Sequence, residues 1–123
     1  MKIYLSPKVR IQDIKNTFKN EFPYLKIEFF KRKGEPGEGK IRELVIPDST
    51  SIMELTGLVK GEIEILPSQK VKEVEQIFQS EFNLPVHIFR KAKRIWIDTT
   101  KTGYLSLEKQ NIKSMFGDEV ILY

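Results

Sequence analysis

The chain has 123 residues, a net charge of +4, and 40% hydrophobic and 31% charged residues. This length and balance are typical of one compact globular domain that buries its own core, and they exclude extended disorder. No cysteine is present, which excludes a disulfide framework, a thiolate nucleophile and a sulfur-based zinc site. We therefore expect a single domain over residues 1–123. The cytoplasm is the expected compartment, since no apolar run has the length of a signal or membrane-spanning segment.

The chain is predicted to begin with a short strand through Ile3 and Leu5, followed by a helix. Apolar side chains recur there at steps of three and four residues, which places them on one face of a helix. They are Ile11, Ile14, Phe18 and Phe22. Ser6-Pro7 predicts the cap and the first turn of this helix, and Pro23 limits its other end.

Alternating apolar residues from Leu25 to Phe29 predict the next strand, and a loop over Gly34–Gly39 separates it from the strand-like Val45-Ile46. The loop with Lys40 spells GxxxxGK, the pattern of a phosphate-binding loop. Ile41 follows where that loop needs Ser or Thr, and no helix begins there, so a hairpin loop is the favoured interpretation.

Two polar clusters follow strands at corresponding places. Asp48–Ser51 is predicted to cap a short turn through Ile52–Leu55, because hydroxyl and carboxylate side chains in such positions satisfy free backbone amides. Asp98–Thr102 leads in the same way to a segment that enters a helix at Ser106. That helix is predicted to run from Leu107 to Met115, before a turn at Gly117-Asp118 and a last strand, Val120–Leu122.

The second part of the chain repeats the first. The matched pairs are Ile3 and Ile63, Leu5 and Ile65, Pro7 and Pro67, Ile11 and Val71, Ile14 and Val74, Phe18 and Phe78, Glu21 and Glu81, and Phe22 and Phe82. After a slip of one residue Leu25–Lys31 matches Leu84–Arg90, and after a longer loop Val45–Thr50 matches Ile95–Thr100. Unrelated amphipathic segments would not share the proline and both phenylalanines, so the pattern indicates a duplication, with pseudo-repeats 1–60 and 61–123.

The repeat predicts the elements of the second half. A helix carries Val71, Val74, Phe78 and Phe82 on one face, with Ser68 as its cap, and two strands joined at Ala92-Lys93 follow. One half alone would bury little, whereas two halves can share one sheet of six or seven strands. The predicted fold class is α+β. It is a two-layer sandwich from a tandem βαββ duplication, with a mostly antiparallel sheet and two helices on one face, ferredoxin-like or related.

A candidate binding surface follows from the strand alternation. If Val86, Ile88, Ile95 and Ile97 face the helices, aromatic and basic side chains face the other way. The candidates are Phe30, Lys31, Arg32, His87, Phe89, Lys91, Arg94 and Trp96. Trp, Phe and Arg are typical anchors of protein interfaces. We therefore expect a small non-enzymatic binding or assembly module that uses this face for a protein partner or for a homodimer, unless residues 102–123 cover it.

Two alternatives remain open. Aromatic residues interleaved with cations could stack and neutralise single-stranded nucleic acid, although the net charge is moderate. An enzyme or small-ligand protein could instead use a cleft between the halves, near His87 and Asp98. His87 is the only histidine, and no catalytic motif or metal-ligand spacing accompanies it, so we predict no catalytic residues, metal or cofactor. No membrane partner is expected.

Overall fold

The computed structural model describes residues 1–33, 42–57 and 60–117. The strands are β1 (Lys2–Leu5), β2 (Leu25–Lys33), β3 (Arg42–Val45), β4 (Gly61–Glu64), β5 (Val86–Ala92) and β6 (Ile95–Asp98). The helices are α1 (Ile11–Glu21), α2 (Ile52–Thr56), α3 (Val71–Phe82) and α4 (Leu107–Phe116), with a 3₁₀ turn over Thr100–Thr102. The predicted Gly34–Gly39 loop and the predicted last strand, Val120–Leu122, lie outside the described residues.

Helices α1 and α3 bury the faces that their spacing predicts. Phe18 and Phe78 are both fully buried in the same hydrophobic cluster. Phe29 from β2 meets Phe78 edge to face, with ring centroids 5.6 Å apart, an arrangement that aromatic pairs prefer. Phe78 therefore packs α3 against β2, and Phe18 lies in the same core cluster.

The predicted starts of these helices are wrong. α1 begins at Ile11 and α3 at Val71, so their N-caps are Arg10 and Lys70 rather than Ser6 and Ser68. The reason is that the backbone before each helix is held by other segments. The Ile11 amide donates to Thr50 O at 2.9 Å and the Val71 amide donates to Leu105 O at 3.0 Å, so the first amides need no serine cap.

The short helix is capped by Ser51, a member of the first polar cluster, and the last helix begins after Ser106 as predicted, with Ser106 itself as its cap. Ser51 Oγ accepts from the Glu54 amide and Ser106 Oγ accepts from the Lys109 amide, each at 3.2 Å. A side-chain acceptor at this position satisfies one of the amides left free at a helix start. Arg10 bridges to Ser51 and Lys70 bridges to Ser106, which ties each cap to the helix that precedes it.

The strands form two antiparallel sheets instead of the single sheet that the sequence predicts. β1 pairs only with β4, with Ile3 opposite Ile63. The other sheet has the order β3-β2-β5-β6, with Glu28 opposite His87 at the central pair of strands. Strand alternation is local and does not encode which strands pair over long range. The protein is thus an α+β protein with antiparallel sheets and, in its described part, four helices, consistent with two layers.

Buried side chains from both sheets and from all four helices belong to one hydrophobic cluster. Ile27, Phe29 and Ile88 are fully buried on the central strands. Ile95 corrects the predicted alternation, because its side chain is 63% exposed. β6 pairs only with β5, so its first residue has a neighbour on one side and the core does not reach it. No helix in the described ranges is long and apolar enough to cross a membrane.

Candidate functional site

One face of the four-stranded sheet carries most of the chemistry of the described residues. Residues directly opposite each other in paired strands point to the same side of a sheet. The register therefore places on one side Lys26, Glu28, Phe30, Arg32, Glu43, Val45, His87, Phe89, Lys91, Trp96 and Asp98. We call this set the polar–aromatic face.

The structure places most of the predicted site residues together. Of the eight candidates, six lie on the polar–aromatic face, namely Phe30, Arg32, His87, Phe89, Lys91 and Trp96. Lys31 pairs with Leu44 and so points to the other side of the sheet. Arg94 lies in the turn between β5 and β6. The face also contains carboxylates, which makes it less basic than the candidates alone suggest.

The Trp96 end of the face is organised around Lys26. Its Nζ lies 5.0 Å from the centroid of the Trp96 ring and 5.4 Å from that of Phe89. Both distances are within the range of cation–π attraction. The same Nζ lies 3.7 Å from Glu28 Oε1. Trp96 and Phe89 are partly buried, so part of each side chain remains accessible to solvent.

At the centre of the face, Lys15 reaches from α1 to two carboxylates. Its Nζ donates to Glu28 Oε1 at 2.9 Å and to Asp48 Oδ1 at 2.8 Å. The Lys15 and Glu28 side chains are only 19% and 14% exposed. Burial lowers the pKa of Lys15, but the hydrogen bonds to Asp48 and Glu28 outweigh it and raise that pKa above its ordinary value. Opposite charges therefore satisfy each other in this cluster.

His87 is held between two carboxylates from different elements. Its Nε2 lies 2.7 Å from Glu43 Oε2 on β3, and its Nδ1 lies 3.5 Å from Glu75 Oε2 on α3. The Phe30 ring packs against the imidazole with centroids 4.9 Å apart. These contacts connect two strands and a helix through one ring, so they fix the position of His87.

Burial raises the pKa of Glu75 to about 7, and the negative charge of Asp98 adds to this effect. The His87 ring and the backbone amide of Ile88 act in the opposite direction. Asp98 is itself held by Thr100, whose amide donates to Asp98 Oδ1 at 2.7 Å. Glu75 is thus an acid whose charge changes near neutral pH, beside an imidazole.

Most polar side chains of the face are paired with one another. Within residues 1–33, 42–57 and 60–117, no group of three His, Asp or Glu side chains has the spacing to hold a metal ion. The imidazole nitrogens face carboxylates rather than a hydroxyl nucleophile that they could activate. The face therefore consists of positioned rings and ion pairs.

Sequence reasoning missed Lys15, Glu43 and Glu75 as members of the site. A signal for two of them exists in the repeat, because its alignment matches Lys15 with Glu75, Glu28 with His87, and Asp48 with Asp98. Helical spacing alone places Lys15 and Glu75 on the solvent side. Glu43 comes close to His87 only through the pairing of β3 with β2, which no local pattern predicts.

Comparison of the chain with protein-family models, with curated proteins and with solved structures found no match. The chain's own residues are therefore the basis for a proposed function.

Proposed function

We propose that this chain is a small non-enzymatic binding or assembly module whose polar–aromatic face engages a protein, either a partner or a second copy of the chain. The observation that carries the proposal is the set of contacts around Lys26, whose ammonium is held by Glu28 and by the Phe89 and Trp96 rings. Rings fixed in this way lose little further freedom when a partner covers them, and Trp is among the residues enriched at interface hot spots.

The proposal includes an architecture for the domain that carries this face. The proposed architecture is one domain formed by a tandem βαββ duplication, with the halves 1–60 and 61–123 meeting at the central strands. The pairing of Ile3 with Ile63 and of Glu28 with His87 supports it, since each pair is also matched in the repeat. A ferredoxin-like relationship remains part of the proposal. The lack of cysteine supports a reducing compartment such as the cytoplasm.

Single-stranded nucleic acid is the weaker candidate for the same face. Binding a phosphate backbone requires cations that exchange solution counterions for phosphates. Lys15 and Lys26 are already bound to carboxylates, and Arg32 Nε lies 3.7 Å from Glu43 Oε1. A strand of nucleic acid would have to displace these carboxylates, whereas a protein partner with mixed charges can extend the same network.

The test is the solution mass of the parent and of two variants, Trp96→Asp and Phe89→Asp, measured by light scattering over a range of concentrations. The matched control is Tyr104→Asp, since Tyr104 is an aromatic residue that is 60% exposed in the turn before α4. We expect the parent and the control to self-associate. Either face variant should weaken association by about 30-fold or more, the effect of losing an interface anchor.

A parent that is monomeric at every concentration would exclude self-association and leave only a different protein as the partner. A gel shift of labelled single strands that is lost at high salt would replace the proposal with nucleic-acid binding. In that case the Trp96→Asp and Phe89→Asp variants should reduce the shift as well, because both rings would stack on bases.

A further inference from the structure

A cavity of about 220 Å³ lies between the β5–β6 hairpin and the end of α4. Among the described residues that line it, four are basic and none is acidic. The basic residues are Arg90, Lys91, Lys93 and Lys113. We call this space the hairpin cavity. It shares Lys91 with the polar–aromatic face, but neither Trp96 nor Phe89 lines it.

The end of α4 accounts for only one of these cations. The last carbonyl groups of a helix attract positive charge, and Lys113 lies in the last turn of α4. Arg90 and Lys91 belong to β5 instead, and Lys93 belongs to the turn that follows it. Strands have only small net dipoles. The hairpin therefore brings three further cations to the cavity without a helix end that attracts them.

The lysines of the cavity have no carboxylate partner within the described part of the chain. Neither Lys93 nor Lys113 forms an ion pair there. The Nζ of Lys91 lies 6.0 Å from the centroid of the Trp96 ring and contacts no acid among these residues. A cleft lined by charges of one sign raises the local concentration of ions of the opposite sign. The hairpin cavity is therefore suited to an anion.

Lys93 occupies a backbone position that suits glycine better. It is the first residue of the two-residue turn between Ala92 and Ile95, and its φ is +57°. Side chains are disfavoured in this left-handed region, where glycine is the common residue in hairpin turns. Backbone geometry therefore does not account for a lysine here. The lysine instead adds a positive charge to the cavity that it lines.

The types of cation indicate the type of anion. The planar fork of arginine fits a carboxylate, whereas the lysine ammonium acts as a point charge and is a common phosphate ligand. Three of the four cations in the hairpin cavity are lysines. A phosphate group carries a charge of about −1.5 to −2 at pH 7 and has three acceptor oxygens. It can therefore contact several ammonium groups at once.

An exposed apolar side chain also lines the hairpin cavity. Ile95 is 63% exposed, and both Ile95 and its cross-strand partner Ala92 are lining residues. An organic group attached to a phosphate would cover this side chain and remove apolar surface from water. The lining therefore favours an ester of phosphate over the inorganic ion.

We propose that the hairpin cavity binds a phosphate group, as the monoester of a small molecule or as the free ion. Lys91, Lys93 and Lys113 bind the phosphate oxygens, and Ile95 packs against the organic part of an ester. The site does not depend on the proposed association through the polar–aromatic face, because the anchors of that association are Trp96 and Phe89.

The experiment is a titration of the isotope-labelled full chain by two-dimensional amide NMR at constant ionic strength and about pH 7.5, where phosphate is close to doubly charged. The probes are phenyl phosphate, inorganic phosphate and benzoate, which is a carboxylate with the same ring. Titration to about 10 mM saturates a site with a Kd near 1 mM.

We expect saturable shifts at Lys93 and Lys113 with at least one of the two phosphate probes. Benzoate should bind about tenfold more weakly than phenyl phosphate or worse, because it has less charge and fewer acceptor oxygens. Tighter binding of phenyl phosphate than of inorganic phosphate assigns an ester. Binding of inorganic phosphate that is at least as tight assigns the free ion.

Lys93→Gly is the decisive variant, because it removes the charge and suits the left-handed turn. It should weaken the preferred phosphate probe about tenfold, while its amide dispersion stays that of the parent. Lys113→Gln should weaken the same probe to a similar degree. Lys8→Gly is the matched control, because Lys8 is exposed in another turn and does not line the hairpin cavity. This control should bind like the parent.

The proposal is overturned if neither phosphate probe gives saturable shifts or if benzoate binds as tightly as phenyl phosphate. It is also overturned if Lys93→Gly or Lys113→Gln binds like the parent, or if Lys8→Gly loses as much affinity as Lys93→Gly. A single-stranded oligothymidylate that binds at Lys93 more tightly than either phosphate probe would replace a phosphate site with a nucleic-acid site. Failure of the phosphate site leaves the solution mass, and so the test of the proposed function, untouched.

Discussion

Two charged clusters flank the central strand pair at positions that the repeat matches. The helix residue at the middle of the first cluster is a lysine, and the matched helix residue of the second is a glutamate. In the first, Lys15 from α1 meets Glu28 and Asp48 at 2.9 and 2.8 Å. In the second, Glu75 from α3 meets His87 at 3.5 Å, with Asp98 nearby. The first cluster is a closed set of ion pairs. The second is an imidazole between acids, and its Glu75 and His87 line a cavity of about 230 Å³.

The comparison teaches that corresponding places in a fold can have different chemistry. Lys15 contacts both Glu28 and Asp48, and Lys26 lies 3.7 Å from Glu28, so two cations balance the two carboxylates. A partly buried acid beside another acid stays protonated to higher pH than an ordinary carboxyl group. The Lys15 cluster is therefore a set of compensated charges, whereas the Glu75 cluster contains an acid whose charge changes near neutral pH.

The largest expected effect comes from replacing Lys15 by glutamate, the residue type that the second cluster has at the matched position, Glu75. Lys15→Glu places a carboxylate against Glu28 and Asp48, where the Lys15 and Glu28 side chains are 19% and 14% exposed. We expect the free energy of unfolding to fall by about 3 to 5 kcal/mol at neutral pH, as when a buried ion pair loses one partner. Urea unfolding measures this change.

The matched control for that exchange is Lys2→Glu. Lys2 forms an ion pair with Glu62 at 3.6 Å, but the two side chains are 51% and 49% exposed. Exposed pairs contribute little, so the control should lose no more than about 1 kcal/mol. Equal losses in the two variants would show that the Lys15 cluster is no more important than a surface ion pair.

The second prediction concerns the pH dependence that the Glu75 cluster confers. The pKa of Glu75 in the folded protein is about 7, above the ordinary value of 4.5. Between these two values the folded chain holds a proton that the unfolded chain releases, so the contribution of Glu75 to stability falls as pH rises and is constant above about pH 7. Glu75→Gln has no such proton to lose.

The stability of Glu75→Gln relative to the parent should therefore rise between about pH 4.5 and pH 7, by at most about 3 kcal/mol. Urea unfolding of both proteins at several pH values in this window gives the difference in their free energies of unfolding. The contributions of the other carboxylates cancel in this difference, because both proteins contain them. Glu73→Gln, an exposed position on the same helix, should show no such trend. A constant difference between Glu75→Gln and the parent would mean that Glu75 does not titrate in this window.

The smallest expected effect concerns the serine caps of α2 and α4, a feature that the two halves share. Ser51→Ala and Ser106→Ala each remove a hydroxyl that accepts one amide hydrogen bond at 3.2 Å. Each should cost about 1 kcal/mol, the usual effect of removing a helix cap. Thermal or urea unfolding of the two variants should give losses that agree within about 0.5 kcal/mol. A large inequality would show that the two caps are not in equivalent surroundings.

The sequence predicted the parts of the fold that depend on local spacing. The buried positions of Phe18 and Phe78, the class of fold, and the helix that follows Ser106 all come from periodicity or from cap chemistry, which are encoded within a few residues. The division into two sheets could not be predicted, since pairing β1 with β4 joins residues about sixty positions apart.

The candidate site also divides into residues that local spacing predicts and residues that only tertiary packing brings together. The rings and cations that alternate along β5 and β6 were predicted from the strand pattern, and Phe89, Lys91 and Trp96 do lie on one face. The carboxylates that neutralise this face come from other elements, Glu43 from β3 and Glu75 from α3. Their positions follow from tertiary packing, so the sequence alone overestimated the positive charge of the surface.

The four-stranded sheet has a short strand at each margin in the described part of the chain. β3 and β6 have four residues each. A foreign strand laid along either margin would gain few backbone hydrogen bonds, so polymerisation through strand addition has little to drive it. If the sheet engages a protein as proposed, individual side chains rather than backbone pairing then determine which partner it selects.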